Sequence, residues 1–309
     1  MTAMRILRSM ADNSWRLGLC AAASVVGAGF GGALIAALGM PVPESPGQAG
    51  PQMTGLLLFV ASLVLAAGLI PLARRLAGPC WLRWLTLAAL CYVCLGLASP
   101  LEGAIFTKLG GMESIPVLFL PLCLLFAAAV TALFKPVHAD ASSLTTARQF
   151  FRTRTPRQWA KRFVAATVAF PVVYWTFGLM VAPFVMAYYR EGQFALSVPS
   201  PGVIVLTQFA RGLLFLAASV PILILWSGSR RQLVLALGLA FTMLVGLFGM
   251  IQSYWLAPTL QILHNTEIFA DSMVYALAVT LLLARKDRRE TEPLYSGPAT
   301  CLAQSIIVK

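Results

Sequence analysis

An all-α integral membrane protein with about eight transmembrane helices is the fold class this sequence predicts, and three observations carry that prediction. The 309 residues are 59% hydrophobic and 11% charged, with a mean hydropathy of +0.81, far from the composition of a soluble domain. Eight separate segments are apolar for the roughly 20 residues that a helix needs to cross hydrocarbon. Basic residues gather in alternate connections between those segments, as the positive-inside rule requires.

Taken in order, the first span (17–40) follows Arg5, Arg8 and Arg16 and is rich in Ala and Gly. It has the outline of a signal peptide, but its apolar stretch is too long and no persuasive cleavage site follows, so it reads as a membrane anchor. Gly27-x-x-x-Gly31, with Gly29 and Gly32 beside it, permits close helix approach. Spans two (54–73) and three (81–101) are separated by Arg74, Arg75 and Arg83. Cys91 and Cys94 form a CxxC inside span three, where redox or metal chemistry would lack water and supporting ligands. They read, like Cys20 and Cys123, as small buried side chains. Pro100 is expected to end or bend span three, which places Glu102 with Glu113 on the solvated rim of a loop carrying Lys108.

Span four (114–134) leads into the longest connection, 135–162. There Arg148, Arg152, Arg154, Arg157, Lys161 and Arg162 alternate with Phe150, Phe151, Trp159 and Phe163. Thr155-Pro156 fits an N-cap and first helical residue. The segment suits anionic lipid as an interfacial helix or a docking place for a protein partner. Span five (163–188) carries Pro171, Gly178 and Pro183; span six (203–227) carries Arg211 and, below it, Pro221. Arg230 and Arg231 precede span seven (232–253), and span eight (259–284) is followed by Arg285, Lys286, Arg288 and Arg289. Tyr188, Tyr189, Tyr254 and Trp255 fit interfacial belts.

The net charge of +12 is therefore a topology signal. Both termini are expected in the cytoplasm (N-in/C-in) of a bacterial-type inner membrane, and no aromatic-basic module points to nucleic acid. The chain divides into a four-span half (1–134), the basic connection (135–162), a second four-span half (163–284) and a tail (285–309). A shift of 156 residues brings Leu57-Leu58-Phe59 onto Leu213-Leu214-Phe215, Arg74-Arg75 onto Arg230-Arg231 and Thr86 onto Thr242. If duplication produced that match, the halves form a 4+4 parallel repeat about an axis along the membrane normal, with Glu102 corresponding loosely to Glu267.

Chemistry concentrates in span eight. Gln261, His264, Glu267, Asp271 and Tyr275 recur at helical spacing within an apolar segment. Charged groups in hydrocarbon need a partner or a wet cavity, and Arg211 is the basic residue lying well inside an apolar segment. Depth along spans six and eight puts Arg211, Glu267 and Asp271 in one layer, with Gln208 and Thr207 on or near the Arg211 face. The expectation is an outward-facing polar site. Arg211 holds an anion, such as a small anionic solute or a lipid headgroup; Glu267 and Asp271 carry protons or bind a cation; His264, Gln208 and Thr207 line the entrance or second layer. An internal ion pair locking the two helices is the plain alternative.

His264-x-x-Glu267 looks like part of a metal site, but His138, the second histidine, falls in the cytoplasmic connection, and no HExxH is present. No metal ligand set, cofactor motif, nucleotide-binding motif or catalytic nucleophile can be named. A transporter or permease is accordingly read ahead of a membrane-embedded enzyme on lipid-linked or phosphorylated substrate, and ahead of a non-catalytic assembly or signalling component.

Overall fold

The computed structural model describes residues 3–44, 47, 50–137 and 143–284. His138, Cys301 and the basic tail from Arg285 lie outside these residues. Nine helices account for the described chain: α1 (Ala3–Ala37), α2 (Pro51–Arg75), α3 (Cys80–Phe106), α4 (Met112–Leu133), the short α5 (Ser143–Arg152), α6 (Pro156–Arg190), α7 (Pro201–Leu225), α8 (Arg230–Gln252) and α9 (Pro258–Leu283). All but α5 contain a stretch long and apolar enough to cross a membrane. The molecule is thus a multi-pass, all-helical membrane protein, with apolar side chains such as Phe30, Leu179, Phe184, Leu206 and Ile262 on its outer surface, where lipid tails would solvate them.

Local sequence explains where the helices begin. Proline occupies the first turn of α2, α6, α7 and α9, where its missing N–H costs nothing and its fixed φ suits the helix. Thr155 caps α6 as expected: its hydroxyl accepts from the Gln158 N–H while the Gln158 side chain accepts from the Thr155 N–H. Helix α6 therefore begins at Pro156, inside the predicted 135–162 connection.

That connection folds back on the bundle. Phe150 and Trp159 are buried, with ring centroids 5.0 Å apart, and Trp159 stacks on Phe163. The Arg154 guanidinium lies over the Trp159 ring and donates to the carbonyls of Leu283 and Ala284 at the end of α9. Arg162 and Arg230 donate to the same terminus. In the first half Arg83 donates to Ala73 O and Phe134 O, ending α2 and α4 together. Guanidinium groups near carbonyl ends satisfy orphan acceptors and complement the helix dipole. Several of the arginines read only as topology markers thus also close helix ends. Burial, loss of solvent first of all, holds the Arg154 guanidinium below the usual arginine value, and the charges of Arg162 and Arg230 push the same way.

Connections collect alternately at two ends. One end holds 76–79, 134–137, 153–155 and 226–229, tied by bonds such as Val137 N–H to Arg74 O and Ser227 N–H to Arg75 O. The other holds 38–50, 107–114, 191–200 and 253–257, tied by Lys108 N–H to Ala195 O and Glu44 N–H to Gly110 O.

Matching elements recur at a spacing of 150 residues. Helices α2 and α7 are both 25 residues long, start at Pro51 and Pro201, and carry internal prolines at 71 and 221. Helices α3 and α8 start at 80 and 230, and each runs for 12 α-helical residues before a π turn that begins at 92 or 242. Leu76 and Trp226, also 150 apart, form an isolated antiparallel bridge. The shift of 156 inferred from Leu-Leu-Phe is therefore out of phase with the helices, and Glu102 stands opposite Gln252 rather than Glu267.

Packing within each group of four follows one pattern: α1 against α2 and α4, α3 against α4; α6 against α7 and α9, α8 against α9. The groups meet through α2 on α8 and α7 on α3. In the first, Gly27 and Gly31 bring α1 onto the α4 backbone, where an added Cβ would meet Leu122 Cα or Leu118 O, while Gly29 and Gly32 face open space. The CxxC pair and Cys123 are buried within this core.

Candidate functional site

His264, Glu267, Asp271, Ser272 and Tyr275 of α9 face a cavity of about 360 Å³ bounded by α3, α6, α7, α8 and α9, whereas Gln261 stands outside its wall and donates to the carbonyls of Ser253 and Leu256. The cavity reaches the end of the bundle that carries Thr107, Leu196 and Trp255, and it extends inward to Phe215, Phe241 and Tyr275. Two glycines set its helices. At Gly212 the α7 backbone lies close to Thr167 O of α6, and at Gly246, in the α8 π turn, α9 packs through Ile268 and Asn265.

Arg211, His264, Glu267 and Asp271 all line this one cavity, so the predicted layer of charge is assembled and does not face lipid. Its pairing differs from expectation. Arg211 makes no ion pair with Glu267 or Asp271; its Nη1 lies 2.7 Å from Glu102 Oε1 and donates to Gln208 Oε1 at 2.9 Å. Glu102 is thus a wall residue and not a rim residue. The reason lies in α3, which does not end near Pro100. A π turn over Tyr92–Ala98 precedes the proline, and the helix continues to Phe106. The extra turn carries Glu102 into the bundle. A π turn of this kind re-aims every later side chain of its helix, and such turns are frequent at functional sites.

Gln208 is fully buried and serves Arg211 from below the surface of the cavity; Thr207 is half-buried, and neither forms the wall. Gln208 thus stands in a second layer behind Arg211, and in the wall itself the Tyr189 hydroxyl meets His264 Nε2 at 3.2 Å. His264 Nδ1 in turn lies 3.1 Å from Glu267 Oε2, so His264 links Tyr189 to Glu267. Tyr189 and Trp255, read from sequence as interfacial belt residues, both face the cavity. Glu113 and Lys108 remain exposed.

Asp271 differs from the other acids. It is 9% exposed and lines the cavity; its Oδ1 has no hydrogen-bond partner, and no ion pair reaches it. Beneath it the floor is aromatic. Phe170 packs against Phe215 and Tyr275 at 4.8 and 5.2 Å between centroids, and Phe241 against Phe215 at 5.4 Å. The Arg211 guanidinium sits over Phe170 and Phe215 at 5.5 and 5.6 Å. The sequence reading missed Tyr174, a further wall residue, and this aromatic floor, because the rings come from four helices.

The charges do not balance. With all three acids ionised, Arg211 offsets Glu102 and a protonated His264 offsets Glu267, and Asp271 calls for a proton or a cation. The first half has nothing comparable, since Ala61, Val117 and Pro121 stand 150 residues before Arg211, Glu267 and Asp271. Among the described residues no group of His, Cys, Asp and Glu could hold a metal ion. No family model, curated protein or solved structure matches this chain.

Proposed function

We propose that the protein is a solute transporter or permease of a bacterial-type cytoplasmic membrane, with its site in the α3/α6/α7/α8/α9 cavity. The carrying observation is a buried, unpartnered Asp271 in the wall of a cavity of about 360 Å³, a size within the range of small-molecule sites. Ionisable groups within membrane segments are costly and are kept mainly where a solute or ion passes. The arginine-rich end is taken as cytoplasmic by the positive-inside rule, which makes the topology N-in/C-in and opens the cavity to the outside.

We also read the two groups of four helices as parallel repeats about an axis along the membrane normal. Equal helix lengths and paired π turns 150 residues apart support this. The first group would be the rigid member, closed by its glycine contacts, and the second the one that holds solute. Paired π turns in α3 and α8, with prolines inside α2, α6 and α7, favour helices that bend over a static scaffold.

Solute passage requires access from both sides in turn. A Ser272→Cys reporter, in a background with Cys80 and Cys301 replaced by Ser, tests this in right-side-out and inverted vesicles. Ser272 lies next to Asp271 in the wall. Labelling by a membrane-impermeant maleimide from each side is expected; labelling from one side alone, or from neither, would rule transport out.

A further inference from the structure

We infer that the cavity takes a small organic cation, a protonated amine or quaternary ammonium bearing an apolar or aromatic group, with its charge on Asp271 and its apolar part against the aromatic floor. This rests on the cavity being a solute site and adds the class of solute.

The sequence alone placed an anion on Arg211 and protons or a cation on Glu267 and Asp271. In the folded chain Nη1 of the Arg211 guanidinium is already engaged, while its Nε is buried without a hydrogen-bond partner. Glu102 neutralises the guanidinium at 2.7 Å, Gln208 accepts from it at 2.9 Å, and Phe170 and Phe215 cover it. An anion taking Nη1 would have to displace Glu102, leaving that carboxylate to find a new partner in the same wall. The ionisable groups facing the cavity are Glu102 from α3, Arg211 from α7, and His264, Glu267 and Asp271 from α9; with every acid ionised, one negative charge is left over even when His264 is protonated. A buried polar group without a partner is expensive, and a buried charge more so. A cation meeting Asp271 supplies the missing partner.

The walls favour the same ligand class. Tyr174, Phe241 and Tyr275 line the same cavity as Asp271, and aromatic faces attract ammonium groups through the ring quadrupole. A metal cation would find no group of three or more His, Cys, Asp or Glu side chains to hold it among the described residues. An amine needs only one carboxylate and aromatic faces, and both are present.

The test compares phenethylammonium with phenylacetate, which share a shape and differ in the sign of their charge, by calorimetric titration of the purified protein in nanodiscs. Saturable binding of phenethylammonium, with none of phenylacetate over the same range, is expected. Asp271→Asn should weaken the cation by roughly tenfold or more, about 1.4 kcal/mol per factor of ten, while Glu113→Gln at the exposed rim leaves it unchanged. If Asp271→Asn does not fold, the Ser272→Cys reporter replaces it: phenethylammonium should slow its labelling and phenylacetate should not. Preferred binding of phenylacetate would overturn the proposal. So would equal losses in Asp271→Asn and Glu113→Gln, or the absence of saturable phenethylammonium binding. Two-sided labelling of Ser272→Cys without ligand would in each case still stand, which separates failure of the ligand class from failure of the transport reading.

Discussion

Arg211 of α7 and Glu102 of α3 meet at 2.7 Å across the junction between the two groups of four helices. The pair therefore acts on the assembly of the bundle, while the acids of α9 face the cavity opposite it. This arrangement separates Arg211, which is paired with Glu102, from Asp271, which has no ion-pair partner.

Replacing Arg211 by Leu should remove folded protein, because Glu102, Glu267 and Asp271 would then share one cavity without an arginine. Breaking a fully buried pair costs about 3–5 kcal/mol, and the partial exposure of Glu102 puts this pair at or below the lower end. The double variant Arg211→Leu/Glu102→Leu should recover most of that loss, and Asp271→Asn should stay at wild-type yield. Thermal unfolding followed by size-exclusion chromatography distinguishes the three. Equal loss in Asp271→Asn would show that Asp271, too, has a structural task.

Close packing of α1 on α4 depends on two glycines and not on their neighbours. Gly27→Ala and Gly31→Ala place a methyl group against the backbone of Leu122 and Leu118, and overpacking of this kind costs about 1–3 kcal/mol. Gly29→Ala and Gly32→Ala meet open space and should fall within about 0.5 kcal/mol of wild type. Melting temperatures of the four variants check this directly.

Arg83→Leu should destabilise the first half. Its guanidinium bonds to Ala73 O and Phe134 O, and a hydrogen bond to a charged group contributes about 1.5–3 kcal/mol. Hydrogen exchange should rise at the ends of α2 and α4 together, since one side chain serves both. A rise at only one end would show that the second carbonyl finds another donor.

Thr155→Ala removes one half of the capping box and should cost about 1 kcal/mol. The effect should be confined to the first turn of α6, read as faster exchange of the Gln158 amide. Thr155→Ser, which keeps the hydroxyl, should restore protection.

Burial of a helix in a membrane is set by a continuous run of apolar residues, so eight spans, their alternating connections and the caps at Thr155 and Pro156 were legible from the chain alone. The stripe His264, Glu267, Asp271 was legible for the same reason: helical spacing puts these side chains on one face before any partner is known. Which acid neutralises Arg211 depends on where α3 crosses α7, and on a π turn that carries α3 past Pro100. Neither follows from spacing within one helix. The aromatic floor under Asp271 likewise joins rings from α6, α7, α8 and α9. Local periodicity determined the spans and the polar face of this protein; only long-range packing decided which charge is engaged and which is left facing the cavity.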